Sequence, residues 1–229
     1  MAKLRVAILG ATGGTGSAVA KHALERGHDV HALVRNVEKL EGIFGGALPS
    51  NVTAHKGDAT REEDVRALLA SASPDVAVIA VGTSSLEKST VCFDTAVAVA
   101  RAASRSFYRE GRPRQRIIAI SGAGLGAKPG LLMEKILVPA LLKEPLIDAL
   151  QMEAALLTPP AEVIDTVIVR PYRLTDGQAT TQWQVVPEDY AAPIVIRYTT
   201  RADVAQCVMR EAESWEHAGK IVNVFTGGV

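Results

Sequence analysis

Cysteine is scarce in this chain. Cys92 and Cys207 are the only two among 229 residues, and both fall inside apolar helical patterns. They read as reduced core thiols, since free cysteine is among the most buried residue types. With no disulfide framework indicated, the chain is expected to be cytoplasmic. An excess of charge is missing too: 25 Lys and Arg balance 25 Asp and Glu. That removes the basic footprint of a nucleic-acid binder, and no Lys/Arg-rich run marks a membrane surface. No stretch of 18 apolar residues exists, so no segment is expected to span a bilayer. The opening MAKLRVAILG is too short for a signal segment and runs straight into a turn motif. Five histidines (His22, His28, His31, His55 and His217) form no i, i+4 pair and share no ligand spacing with Cys or carboxylates. No metal site is expected. A nucleophile-elbow pattern is also absent, which leaves a hydrolase without support.

What the chain does have is alternation. Apolar residues make up 48% and charged ones 22%, the balance of a soluble globular protein. A chain of this length buries roughly 70% of its unfolded surface, enough for a self-sufficient core. Short β-branched runs predict strands at 4–9, 29–34, 51–55, 75–81, 116–121, 166–170 and 220–225. Helical spacing predicts helices over 17–26, 61–70, 88–109 and 201–214. Thr60 reads as the N-cap of the second of these, with Glu63 as its capping-box partner. This β-α-β-α order predicts an α/β fold, a Rossmann-type doubly wound parallel sheet covered on both faces. After Pro171 the rhythm changes. Residues 172–199 look mostly irregular, with short strands near 183–186 and 194–198, and suggest a small C-terminal substrate-side lobe. No repeat or linker interrupts the chain, so residues 1–229 read as one domain.

The informative motif is Gly10-Ala11-Thr12-Gly13-Gly14-Thr15-Gly16. It follows a predicted strand and opens a predicted helix, the context a dinucleotide-binding turn requires. Gly10 permits the tight turn, Gly13 lets a pyrophosphate approach backbone N–H groups, and Gly16 lets the helix pack closely. Thr12, Gly14 and Thr15 complete the cradle, and the helix N-terminus supplies donors and partial positive charge. Ribose specificity is read at the end of the second strand. An NAD site wants a carboxylate there, but the chain has Val34-Arg35-Asn36. A guanidinium suits a 2′-phosphate, and Lys39 adds a second charge, so NADP(H) is the expected cofactor. Other strand ends fit the same groove: Asp58 and Ala59 beside the adenine, Val81, Gly82 and Thr83 near the ribose and pyrophosphate, Ser121 and Gly122 near the nicotinamide.

Taken together, GATGGTG at 10–16, LVR at 33–35, GD at 57–58, GT at 82–83, SG at 121–122, VRP at 169–171, LTDG at 174–177 and TRADVA at 200–205 form a family pattern. The chain resembles the atypical short-chain dehydrogenases/reductases, in particular their NmrA-like and biliverdin reductase B/flavin reductase branch. The resemblance implies that Arg35 contacts the 2′-phosphate. It also implies that the backbone at Pro171 and Leu174 runs beside the nicotinamide. One departure matters: no Tyr-x-x-x-Lys occurs in the chain. Glu153 resembles the glutamate that follows that pair, which puts Ala149 at the lysine position and Pro145 at the tyrosine position. The biliverdin/flavin reductase type lacks the pair as well, and resembles an enzyme that takes its proton from solvent or substrate. Its histidine aligns near Arg173.

Three residues are candidates for chemistry. Ser121 suits a hydrogen bond to a substrate oxygen, Tyr172 a proton donation, and Arg173 an anionic or phenolic substrate. The Gly- and Pro-containing stretch 124–146, with Lys135 and Lys143, suggests a lid or substrate wall. The reading that follows is an NADPH-dependent reductase of a small aromatic, quinone-like or conjugated carbonyl substrate, acting as a monomer or homodimer. The alternatives are a non-catalytic NADP(H)-sensing regulator of the NmrA-like kind, and a redox-neutral isomerase or dehydratase on the same scaffold.

Overall fold

Val, Ile, Leu and Ala fill β1 (Arg5–Leu9) and β4 (Val76–Ile79) almost without interruption, as strands buried on both faces require. The computed structural model describes residues 2–82, 88–107, 114–122, 138–158, 163–180, 182–188 and 198–226. Within them β1 lies between β2 (Asp29–Val34) and β4, parallel to both. The sheet then runs outward through β3 (Val52–Lys56) on one side. On the other side it passes through β5 (Gln115–Ile120), β6 (Ile164–Pro171) and, parallel to β6, β10 (Ile221–Thr226). Strand order therefore reverses at β1, and the crevice between the ends of β1 and β4 is the switch point where such sheets take ligands.

Period-two alternation divides each strand between two cores. Val6, Ile8, Val30 and Val34 face α1 (Gly14–Glu25), α2 (Val37–Ile43) and α6 (Arg201–Ser214). Ala7, Leu9, Ala77 and Ile79 face α3 (Glu62–Ala72), α4 (Val91–Phe107) and α5 (Val138–Leu157). The late segment supplies β7 (Arg173–Thr175), β8 (Trp183–Pro187) and β9 (Tyr198–Thr200). β8 and β9 pair antiparallel with β10, and β7 pairs with β9, so they extend one end of the sheet.

The limits of β2 and α6 coincide with the expected ones. Three local differences have physical causes. α2 appears where no helix was expected; it is seven residues long, started by the Asn36 side chain, which accepts from the Lys39 N–H. Thr60 is not an N-cap. α3 begins after Arg61 without a side-chain cap, because Thr60 turns back and gives both its N–H and its hydroxyl to Asp58. Asp64 is also drawn away, accepting from the Asp58 N–H at 2.9 Å. α4 starts at Val91 rather than Lys88, where the buried Asp148 of α5 accepts from the N–H groups of Cys92 and Phe93. Of the expected lid, residues 138–146 belong to α5, while 124–137 lie outside the described residues, as do 194–197 of the expected late strand.

Candidate functional site

The glycine turn closes on itself and on β4. Gly10 has φ +93°, and a Cβ there would stand 2.5 Å from the Ala80 carbonyl oxygen. Gly13 donates to the Gly10 carbonyl at 3.0 Å. Gly16 is the tightest position: a Cβ would stand 2.1 Å from the Gly10 oxygen. Its hydrogen is therefore demanded by the turn itself, whose backbone a Cβ would meet first, and not by packing on the sheet as the motif suggested. Gly13 is the N-cap of α1 and offers no side-chain acceptor, and the first turn carries no acidic residue. The initial N–H groups of α1 thus keep their partial positive charge available to an anion. By contrast α2 and α6 are capped by Asn36 and Thr200. A turn held tight by glycine at 10 and 16 and topped by uncapped donors suits the diphosphate of a cofactor.

Arg35 emerges exposed directly after β2, and Lys39 lies exposed on α2. Asp58 follows β3. Hydrogen bonds from the Thr60 N–H and hydroxyl hold its carboxyl below the usual range, helped by the charges of Arg35 and Arg61. Gly57 lets the chain pass there, since a Cβ would meet Asp64 and Leu33 at 2.9 Å. Ala59 packs against the second core. After β4, the Ala80 N–H extends the ladder to Leu9, and Val81 accepts from the Cys92 thiol. Burial, with Asp148 beside it, pushes that thiol up to about 12, which makes it inert. Thr83 lies outside the described residues.

Ser121 prolongs β5, its N–H donating to the Val169 carbonyl at 2.9 Å. Its hydroxyl oxygen is buried and has no hydrogen-bond partner among the described residues. Such a group is costly unless something accepts from it or donates to it. Gly122 follows. Pro171 ends β6, and the Tyr172 N–H donates to Val224 while its ring packs edge-on against Phe225, centroids 5.7 Å apart. The sheet thus brings Gly10, Val81, Ser121 and Pro171 together as the carboxyl ends of four adjacent strands, β1, β4, β5 and β6. Arg173 and Leu174 stand further off on β7: the Arg173 guanidinium covers the Tyr198 ring, and Leu174 packs on the first core. Glu153 does not reach the groove, for it forms a buried bidentate pair with Arg170 at 2.6 and 2.9 Å. A cavity of about 760 Å³ beside Leu4, His22, Arg26 and Trp183 lies at the opposite end of β1 and is unrelated to these strand ends.

A family model described as NAD(P)H-binding matches residues 10–214. The chain belongs to this NAD(P)H-binding family. No curated protein matches it significantly. Among solved structures it is similar to the anaerobilin reductase ChuY of Escherichia coli O157:H7, with 21% identity, TM-score 0.74 and 98% of both chains covered. The oxidoreductase ylbE of Lactococcus lactis shares 22% identity and a TM-score of 0.75 over 98% of this chain and 92% of that one. A wide-type short-chain dehydrogenase/reductase of Veillonella parvula DSM 2008, solved with NADP, shares 17% identity and a TM-score of 0.76 over 100% and 96%. Family and fold therefore agree with the resemblance to atypical short-chain dehydrogenases/reductases drawn from the sequence.

One residue at the site escaped the sequence. Arg201 opens α6, yet its side chain lies across Gly14 of the turn. TRADVA marked a helix start through Thr200, but nothing in the pattern tied it to a glycine 187 positions earlier.

Proposed function

We propose that this NAD(P)H-binding chain is an NADPH-dependent oxidoreductase that reduces a small aromatic, quinone-like or conjugated carbonyl substrate without a Tyr-Lys pair. The observation that carries this reading is the Ser121 hydroxyl, buried and unpartnered among the described residues, at the end of the strand beside the glycine crevice. Gly10, Thr12, Gly13, Gly14, Thr15 and Gly16 hold the diphosphate. Arg35 and Lys39 hold the 2′-phosphate, where no carboxylate competes. Asp58, Ala59, Val81, Gly82 and Thr83 line the adenine and ribose side, while Gly122 and Pro171 line the nicotinamide side. When bound, the nicotinamide supplies the hydride. Ser121 donates its hydroxyl hydrogen to the substrate oxygen, fixing the carbonyl and stabilising the charge that grows there. Tyr172, which follows the neighbouring strand β6, is the proton donor to that oxygen. Arg173, exposed on Tyr198, holds an anionic or phenolic part of the substrate. The chain works in the cytoplasm on a diffusible small molecule. Reductase activity in a protein of the same fold, ChuY, supports the reaction class.

The test is to mix the protein with NADPH and a panel of quinones, flavins and conjugated ketones. NADPH consumption is expected with at least one class, slowed roughly 10-fold or more in Ser121→Ala. No oxidation with any of them, while NADPH still binds tightly, would overturn the reductase. It would favour a non-catalytic NADP(H) sensor, the reading that the missing tyrosine and lysine on α5 support. Turnover of a substrate with NADPH unconsumed would instead indicate an isomerase or dehydratase.

A further inference from the structure

Arg201 is held in place by a polar knot. Thr200 caps α6, its hydroxyl accepting from the Asp203 N–H at 3.0 Å. The Asp203 carboxylate is fully buried and accepts from the Thr180 N–H at 2.8 Å, the Thr180 hydroxyl at 2.9 Å and the Thr226 hydroxyl at 2.7 Å. Burial alone pushes this carboxyl up, but hydrogen bonds led by Thr226 and Thr180 outweigh it and keep the group ionised. Four pieces of chain meet at this one carboxylate: the end of β10, the end of β9, the stretch before β8 and the start of α6.

From this knot Arg201 reaches over the start of α1. Its Nε lies 2.8 Å, and its Cδ 3.0 Å, from the point that a Cβ on Gly14 would occupy. Nη1 donates to Asp176 at 2.6 Å. Asp176 is 94% exposed, so this ion pair contributes little to stability. A guanidinium carries five N–H donors, and no other partner holds them among the described residues. The placement is electrostatically the wrong way round, because a cation sits on the positive end of an uncapped helix. An anion bound alongside the guanidinium, at the first N–H groups of α1, would make both interactions favourable.

We propose that Arg201 is a side-chain ligand for the diphosphate of the nicotinamide cofactor, clamping it against the N-terminal turn of α1 from the far half of the chain. This rests on the cofactor reading above. Gly14 then has a second reason to be glycine: a side chain there would push the guanidinium off the turn. The clamp acts on the diphosphate and Arg35 on the 2′-phosphate, so the two contacts are separable by ligand.

The experiment measures dissociation constants by calorimetry for NADPH, ADP-ribose and 2′-AMP. ADP-ribose carries the diphosphate without a 2′-phosphate, and 2′-AMP carries the reverse. Arg201→Gln is expected to weaken NADPH and ADP-ribose roughly 10-fold or more, with 2′-AMP within about two-fold and the melting temperature nearly unchanged. Arg201→Lys keeps the charge but loses the fork, and should fall between the two. Gly14→Ala should weaken ADP-ribose in the native background and add little further in Arg201→Gln. ADP-ribose binding unchanged in Arg201→Gln and Arg201→Lys would overturn the clamp. Equal loss of ADP-ribose and 2′-AMP would overturn it as well. A native chain that binds neither NADPH nor ADP-ribose removes the cofactor reading and the clamp together; one that binds both, with Arg201→Gln unaffected, removes the clamp alone.

Discussion

Gly16 leaves no room for a methyl group, because the Gly10 oxygen already stands 2.1 Å from the place it would take. Gly16→Ala should therefore unseat the start of α1, costing about 1–3 kcal/mol of stability by overpacking and weakening NADPH binding. Urea unfolding together with a cofactor titration checks both; an alanine variant as stable as the native chain would contradict the close approach. Arg35 makes the opposite kind of prediction, since it is exposed and its loss leaves the fold alone. Arg35→Ala should weaken NADPH by about 1–3 kcal/mol, the range of a charged hydrogen bond, and leave NADH little affected. Equal weakening of both cofactors would remove the 2′-phosphate assignment. The places of both residues in the fold were legible in the sequence, because a glycine spacing and the residue after a strand are local patterns. The partner of Asp58 was not: its carboxylate accepts from Thr60, a contact that takes the place of the expected capping box.

At the scale of elements, α4 owes its first turn to α5. Asp148 accepts from Cys92 N–H at 3.0 Å and Phe93 N–H at 2.8 Å, and is 1% exposed. Asp148→Ala should cost about 2–4 kcal/mol, since two buried N–H groups lose a charged acceptor. Thermal unfolding measures the loss, and faster hydrogen exchange at Cys92 and Phe93 would assign it to the cap. No sequence pattern announces a cap supplied from 55 residues away, which is why the expected helix began three residues early. The strands fared better. Unbroken apolar runs such as VAVI and VAIL have few alternatives in a β-α-β order, and their limits moved by only one or two residues.

For the whole molecule, pH should matter below neutrality. On the outer strands His31 and His55 share a contact, Nδ1 to Nε2 at 3.2 Å, with Ser71 near the far nitrogen of His55. Burial pushes both imidazoles down; for His31 Asp29 opposes this and Arg5 assists, and for His55 the neighbouring His31 assists. A histidine whose folded value is depressed stabilises the fold above its unfolded value of about 6.5, and that stability is lost as pH falls. The melting temperature should therefore drop between pH 7 and 5, and drop less in a His31→Gln, His55→Gln double variant. An identical fall in both proteins would rule out the pair as the cause. Among the described residues no helix is long and apolar enough to cross a membrane.

The strands and helices of the alternation, the glycine turn and the residue after β2 could be read from residue spacing alone, because each is set within a dozen or so residues. Which groups meet across the chain came from the folded molecule. It drew Glu153 into a buried pair with Arg170, left the Ser121 hydroxyl buried at a strand end, and carried Arg201 onto Gly14. The physical reason is that such contacts depend on how helices pack on the two faces of the sheet. That packing is settled by the shape of the whole core, which no local pattern encodes.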